Sequence, residues 1–182
     1  MSIIATDLDG TIFKGQTLID GVKEGLLKII NEGIEIYYTT NNSSQTPSEI
    51  KDKLENLLQL DIDISKIITP LVIFQNLYSN NKSNIFIYGS ENLKKYIKNL
   101  NMNVTSLENA ELVLIGRKEE NNFSEINEII KSVSIGKNIL SLNKDLTFPT
   151  EFGEKAGNGA VVKIIEDELS ISIPTLGKSG NH

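Results

Sequence analysis

Residues 2–11 read Ser-Ile-Ile-Ala-Thr-Asp-Leu-Asp-Gly-Thr, an apolar, β-rich run that ends in two aspartates one residue apart and then Gly-Thr. A short run bounded by Asp and Gly predicts a buried strand that leaves its sheet in a sharp turn. It constrains the fold more than any other stretch, because open α/β sheets place their chemistry at the carboxyl ends of central strands. Two carboxylates at such a strand end fit a magnesium-dependent phosphoryl-transfer site. An Asp can attack phosphorus, and Mg2+ takes one or two carboxylates together with phosphate and water. A second acid can protonate the leaving oxygen and later activate water. Gly10 permits the turn, and the Thr11 hydroxyl is placed to orient Asp9. A plain strand-to-turn exit uses the same residue types, but the string Asp7-Leu8-Asp9-Gly10-Thr11 directly after an apolar strand favours the site.

The rest of the chain alternates strand and helix signals. Residues 12–20, with Gly15, predict a loop or small hairpin. Val22, Leu26, Leu27, Ile29 and Ile30 line one face of a helix over 21–31 that Gly33 can cap. Residues 34–40, rich in Ile, Tyr and Thr, make a second strand, so a βαβ unit with parallel strands is expected. Thr46-Pro47-Ser48-Glu49 has the form of a capping box with Pro at the first helical position. It opens a helix along Ile50, Leu54, Leu57 and Leu58. A short strand at 67–69 and a helix at 70–78 follow, and then a polar linker at 79–84. Beyond it, strands at 85–88, 112–115 and 138–142 alternate with helices at 91–100, 123–133 and 157–169, which describes a second α/β unit.

Two further clusters bear on the first. Thr40-Asn41-Asn42-Ser43 lies where the second strand meets its loop, beside the end of the first strand, where a hydroxyl and N–H groups can hold phosphate oxygens. Gly177-Lys178 follows an apolar segment, and a Lys there can neutralise phosphate as a compact cation. Taken singly, the first reads as an Asx-rich turn and the second as a solvated lysine. Other candidates read as structural. His182, the lone His, is a frayed terminal residue; Tyr37 and Tyr38 are packing residues on a strand; Arg117-Lys118-Glu119-Glu120 carries both signs and reads as a solvated loop.

Composition excludes several classes. With no Cys, disulfides, thiolate zinc sites and Cys nucleophiles are ruled out. The net charge of −6 and the lack of a basic run argue against a nucleic-acid partner. No apolar stretch reaches the length of a membrane span, and the first residues lack a signal-peptide pattern, so a cytoplasmic location is expected.

In this order and spacing the residues resemble the haloacid dehalogenase (HAD)-like hydrolases. The resemblance is to the subgroup with a large α/β cap that includes 4-nitrophenylphosphatases, phosphoglycolate phosphatases and NagD-type nucleotide phosphatases. Asp7-Leu8-Asp9-Gly10-Thr11 resembles the first motif of that family, Thr40-Asn41-Asn42 the second and Gly177-Lys178 the third, with Ser179 where the family carries Pro. Residues 142–145 and 156–160 resemble segments of the cap. The resemblance implies an α/β fold: a Rossmann-like parallel-sheet core over 1–81 and 175–182, with an inserted α/β cap over 82–174. It implies Mg2+ as cofactor, held by Asp7 and Asp9, with Asp7 as nucleophile and Asp9 as general acid and base. Thr40, Asn41 and Lys178 would bind the phosphoryl group, and Gly10 and Thr11 would support the turn. The cap would close over the site, exclude water and choose a small phosphorylated metabolite.

Family members continue past the third motif with a strand ending in Gly-Asp and a further acid that complete the metal site. On that comparison the core sheet lacks its last strands, and the first strand has a free edge. A fragment of a longer enzyme is the favoured explanation. A short form completed by a partner or swapped subunit, with a homodimer as one form, is the second, and a catalytically inactive binding or regulatory protein is the third. The expected activity is phosphomonoester hydrolysis through an aspartyl-phosphate, which sequence does not separate from phosphotransfer.

Overall fold

A computed structural model describes residues 2–80, 82–150 and 153–178. Ser179 and His182 lie outside the described residues. In chain order the elements are β1 (Ile3–Asp7), the two-residue strands β2 (Phe13–Lys14) and β3 (Thr17–Leu18), α1 (Val22–Asn31), β4 (Glu35–Thr39), α2 (Pro47–Leu58), β5 (Ile67–Ile68) and α3 (Pro70–Tyr78). There follow β6 (Ile85–Tyr88), α4 (Glu91–Asn99), β7 (Leu112–Ile115), α5 (Phe123–Ser134), β8 (Asn138–Ser141), β9 (Thr147–Thr150), β10 (Gly153–Ala156) and α6 (Asn158–Leu169).

Two parallel sheets organise these elements. The first has the order β1-β4-β5 and the second β6-β7-β8. β1 and β4 pair from Ile3 opposite Glu35 to Asp7 opposite Thr39, the expected parallel βαβ arrangement. The expected hairpin forms as β2 and β3. The capping box at α2 forms as read: Thr46 Oγ1 accepts from the Glu49 N–H at 3.3 Å, and Thr46 N–H donates to Glu49 Oε2 at 2.7 Å.

The prediction of a buried first strand is not met. β1 lies at the edge of its sheet, with Ile3 60% and Ile4 37% exposed. An apolar strand is buried only when neighbours cover both its edges and faces, and among the described residues β1 pairs with β4 alone. Among the described residues the other edge of β1 is unpaired. Burial resumes just past the strand. Leu8, Ile12 and Phe13 join Leu26, Ile36, Tyr38, Ile50, Leu54, Leu58 and Ile67 in the first core cluster.

The second sheet has helices on both faces. β7 reads Leu-Val-Leu-Ile, and its side chains divide by parity. Leu112 and Leu114 pack with Leu71, Phe74, Leu93 and Ile97 from α3 and α4. Val113 and Ile115 pack with Ile126, Ile129, Val161 and Ile165 from α5 and α6. Burial on both faces explains why the strand is continuously apolar rather than alternating. α3 precedes the polar linker in sequence yet packs into this second cluster. Residues 174–176 run beside β8: Ser141 N–H donates to Pro174 O at 2.9 Å, and Leu176 N–H donates to Ser141 O at 3.1 Å. This carries Lys178 from the edge of the second sheet towards the end of the first.

The antiparallel pair β9 and β10 has no counterpart in the sequence reading. Residues 147–156 include Pro149 and Gly153 and show no apolar alternation, so they carry no strand signal. Among the described residues no helix is long and apolar enough to cross a membrane.

Candidate active site

The turn after β1 is built on a single carbonyl. Leu8, 1% exposed, anchors it, and its oxygen accepts from the N–H groups of Thr11, Ile12 and Phe13 at 3.2, 2.9 and 3.3 Å. Gly10 has φ +81 and donates its N–H to Phe13 O at 2.8 Å, which meets the need for Gly at this point. The turn sets Asp7 and Asp9 side by side at the carboxyl end of β1. Asp7 Oδ1 accepts from its neighbour Leu8 N–H at 2.9 Å and pairs with Lys178 Nζ.

The β1–β4 register brings Thr40 to the same place. The residue is 4% exposed, and its Oγ1 donates to Asp9 Oδ2 at 3.1 Å while accepting from Asn42 N–H at 3.0 Å. The hydroxyl that reaches Asp9 is thus Thr40's, and Thr11 is exposed on the turn. A residue at the end of the neighbouring strand is held by the sheet ladder, so its hydroxyl is better fixed than one on the turn itself.

Asn41 acts as a strut. Its Oδ1 accepts from Lys178 N–H at 2.6 Å, and its Nδ2 donates to Asp145 Oδ1 at 3.0 Å. Its carbonyl accepts from Asn143 Nδ2 at 2.8 Å. The side chain expected to touch phosphate is spent on joining the two sheets. Asn143 is in turn fixed by Asn158, whose Nδ2 donates to Asn143 O at 2.8 Å and Ser141 Oγ at 2.9 Å. The start of α6 abuts this loop so closely that a Cβ on Gly157 would lie 2.3 Å from Asp145 O, and one on Gly159 2.1 Å from Lys144 O.

Between the two sheets these residues enclose a cleft of about 320 Å3. Asp7, Asp9, Thr40, Asn41 and Lys178 form one wall, and Arg117, Asn143, Asp145 and Asn158 form the other. Arg117 corrects the reading of 117–120 as a solvated loop: it and Lys118 are half-buried, while Glu119 and Glu120 are exposed. Burial pushes the Arg117 guanidinium below its ordinary pKa, against the charge of Glu119. Lys118 pairs with Glu125 and lies over the Tyr88 ring, 4.9 Å from its centroid. A second unforeseen cation, Lys53, lies 3.5 Å from the Phe13 ring centroid. Burial holds its pKa down while the charge of Asp9 opposes this.

Arg117, Asn143, Asp145, Asn158 and Lys53 are thus the site features that residue-by-residue reading passes over. The resemblance matches residues 142–145 and 156–160 to cap segments but assigns them no role. The signal for Arg117 is its position, since it follows the carboxyl end of a strand in an open parallel sheet, as the Asp9 turn does.

Among the described residues no group of three or more His, Asp or Glu side chains is placed to hold a metal. Asp7 and Asp9 nevertheless give two hard-oxygen carboxylates facing one cleft, a donor set that fits Mg2+ completed by water and phosphate oxygens.

The family profile described as haloacid dehalogenase-like hydrolase matches residues 4–103. An acid sugar phosphatase of Staphylococcus epidermidis is 28% identical over 174 residues, covering 94% of this chain and 67% of its own length. The chain therefore spans about two thirds of the length of the curated relatives it matches. Among solved structures, a hypothetical protein of Pyrococcus horikoshii superposes with a TM-score of 0.86 at 25% identity, over 100% of this chain and 73% of that one. A thermostable p-nitrophenylphosphatase of Bacillus stearothermophilus superposes with a TM-score of 0.78 at 28% identity, over 98% of this chain and 69% of that one.

Proposed function

Since the chain belongs to the haloacid dehalogenase-like hydrolases, we propose that the whole protein is a phosphatase that hydrolyses small phosphate monoesters, phosphorylated sugars among them. One observation carries this reading: Asp7, Asp9, Thr40 and Lys178, from three separate segments, line one cleft, with Lys178 paired to Asp7 and Thr40 bonded to Asp9. The relatives named as an acid sugar phosphatase and a p-nitrophenylphosphatase support the substrate class.

Asp7 is the nucleophile. Its Oδ1 is held by Leu8 N–H and Lys178, which leaves Oδ2 to attack phosphorus. The Oδ2–P bond forms as the ester P–O bond breaks, and Asp9 gives its proton to the departing alcohol oxygen. In the second half Asp9 takes a proton from water, the water oxygen attacks phosphorus, and the acyl phosphate opens to inorganic phosphate and free Asp7. Thr40 holds Asp9 in place for both transfers. Lys178 neutralises charge on the phosphoryl oxygens. The Asp7 carboxylate and the Asp9 backbone carbonyl would hold Mg2+, which when bound offsets the repulsion between a carboxylate and a phosphate dianion. Residues 82–174 act as the cap that keeps bulk water from the cleft.

The test is Mg2+-dependent hydrolysis of 4-nitrophenyl phosphate by the protein and by Asp7→Asn. Turnover in the parent that falls at least about 10^3-fold in Asp7→Asn is expected, the scale seen when a nucleophile is removed. No Mg2+-dependent turnover in the parent, or full turnover in Asp7→Asn, overturns the reading.

A further inference from the structure

We propose that Lys53 is a positioning residue for the proton donor: its ammonium, docked on the Phe13 ring, steadies the turn that aims Asp9 at the leaving oxygen. The inference rests on the reading of Asp9 as general acid and adds to that step a residue from behind the turn. Lys53 stands in the middle of α2, whose Ile50, Leu54 and Leu58 are anchored in the first core cluster, so its backbone is fixed. The side chain is half-buried. A lysine so placed ordinarily carries its charge out to water or to a carboxylate. Lys51, two residues earlier, does the latter: it pairs with Glu55 and also donates to Ile62 O at 2.9 Å. Lys53 makes a different contact. Among the described residues it has no ion pair, and its Nζ lies 3.5 Å from the centroid of the Phe13 ring.

That ring belongs to the residue that closes the Asp9 turn. Phe13, 3% exposed, donates its N–H to Leu8 O at 3.3 Å, and its carbonyl accepts from Gly10 N–H at 2.8 Å. It thereby holds the residues on both sides of Asp9, and it forms an isolated β-bridge with Asp9 itself. Thr40 fixes the Asp9 carboxyl from the neighbouring strand. Phe13 fixes the backbone beneath that carboxyl. A cation on a ring face gains most where water is excluded, and the burial of Phe13 meets that condition. Burial disfavours the charge on Lys53, and the carboxylate of Asp9 is the charge that supports it. The ammonium therefore stands within the field of the residue it steadies. Proton transfer depends steeply on where the donor is placed, so a turn that shifts slightly loses rate.

The probes are phenyl phosphate and 4-nitrophenyl phosphate, which differ by a nitro group that makes the leaving oxygen less basic. Phenoxide therefore needs the proton from Asp9 more than 4-nitrophenoxide does. The readout is the ratio of kcat/KM for phenyl phosphate to that for 4-nitrophenyl phosphate, in which any general loss of folded protein cancels. Lys53→Gln is expected to lower this ratio about three- to ten-fold, the scale of one cation–π contact. Lys53→Arg, whose guanidinium also stacks on a ring, keeps it near the parent's. Phe13→Leu lowers it by a similar factor, and adding Lys53→Gln to Phe13→Leu changes it no further. The Gly10 and Phe13 amides, both bonded within the turn, should exchange with solvent faster in Lys53→Gln. An unchanged ratio in Lys53→Gln, or a second fall when it is added to Phe13→Leu, overturns the proposal. Turnover that depends on Mg2+ and Asp7, at a ratio indifferent to Lys53, sinks only the Lys53 proposal. No Mg2+-dependent turnover of either ester sinks the phosphatase reading; faster amide exchange in Lys53→Gln then still supports the clamp on the turn, and unchanged exchange removes it.

Discussion

At the scale of single residues, the site depends on where a hydroxyl sits. Thr40 is buried and donates to Asp9, and its methyl group has the same shape as one arm of Val. Thr40→Val therefore removes the donor while keeping the packing, and it leaves a carboxylate oxygen without the group that held it. We expect kcat/KM for 4-nitrophenyl phosphate to fall about ten- to a hundred-fold, with Tm lower by about 2 to 6 °C because Asn42 N–H also loses its acceptor, and Thr40→Ser to recover most of both. Equal rates in Thr40→Val and the parent would remove Thr40 from the positioning of Asp9. Asp7 and Asp9 stand in a short string whose chemistry is local, whereas Thr40 and Lys178, which singly read as an Asx-rich turn and a solvated lysine, draw attention only through their order and spacing beside it. Arg117 was not legible in the sequence, because its neighbours Lys118, Glu119 and Glu120 give the run the look of a solvated loop. Its backbone is held by Ser90, and the preceding Gly116 abuts Leu93, both more than 20 residues away in sequence.

At the scale of elements, glycines at two helices show how context reverses the sign of one substitution. Gly25 lies inside α1, with nothing within 4 Å of where a Cβ would stand. Gly25→Ala is expected to stabilise the protein by about 0.5 to 1 kcal/mol, since it removes backbone freedom from the unfolded chain without a clash. Gly159 opens α6 against the loop before β9, with Lys144 O 2.1 Å from a Cβ and the Lys144 carbonyl carbon at 2.5 Å. Both neighbours are backbone, so Gly159→Ala must push the loop or the helix aside, at a cost of about 1 to 3 kcal/mol. Thermal melts of the two variants should move in opposite directions, and a shared direction would refute this account. The helices were legible because capping boxes and apolar faces are local signals, and α2 matches its reading from Pro47 to Leu58. The strands were legible only in part. The run in β7 is apolar throughout and buried on two faces, but the apolar start of β1 turned out exposed, because burial of a strand depends on neighbours that its own sequence does not name.

At the scale of the whole molecule, two nodes help to join the walls of the cleft. One is Asn41, between Lys178 and Asp145. The other is Glu166 on α6, whose Oε1 accepts from Lys144 Nζ and from Ile173 N–H, each at 2.7 Å. Lys144 adjoins Asp145 in the far wall, and Ile173 begins the segment that delivers Lys178 to Asp7. Burial pushes the Glu166 carboxyl upward in pKa, but the hydrogen bonds from Lys144 and Ile173 outweigh it and hold it below the ordinary range. A carboxyl lowered in the folded state binds its proton less readily there than in the unfolded chain. Its stabilising contribution is therefore fully present above the unfolded value, about 4.3, and fades as pH drops through the lower folded value. Glu166→Gln keeps the shape and removes the charge, so at pH 7 it should cost about 1.5 kcal/mol, a Tm loss of about 3 to 6 °C. The Tm difference between parent and variant should shrink as pH falls from about 5 to about 3, because the parent then protonates to a state close to the variant's. The same variant should loosen the approach of Lys178 to Asp7 and lower turnover at neutral pH. A Tm difference that stays constant across that acid range would show that the charge of Glu166 does not hold the two walls together.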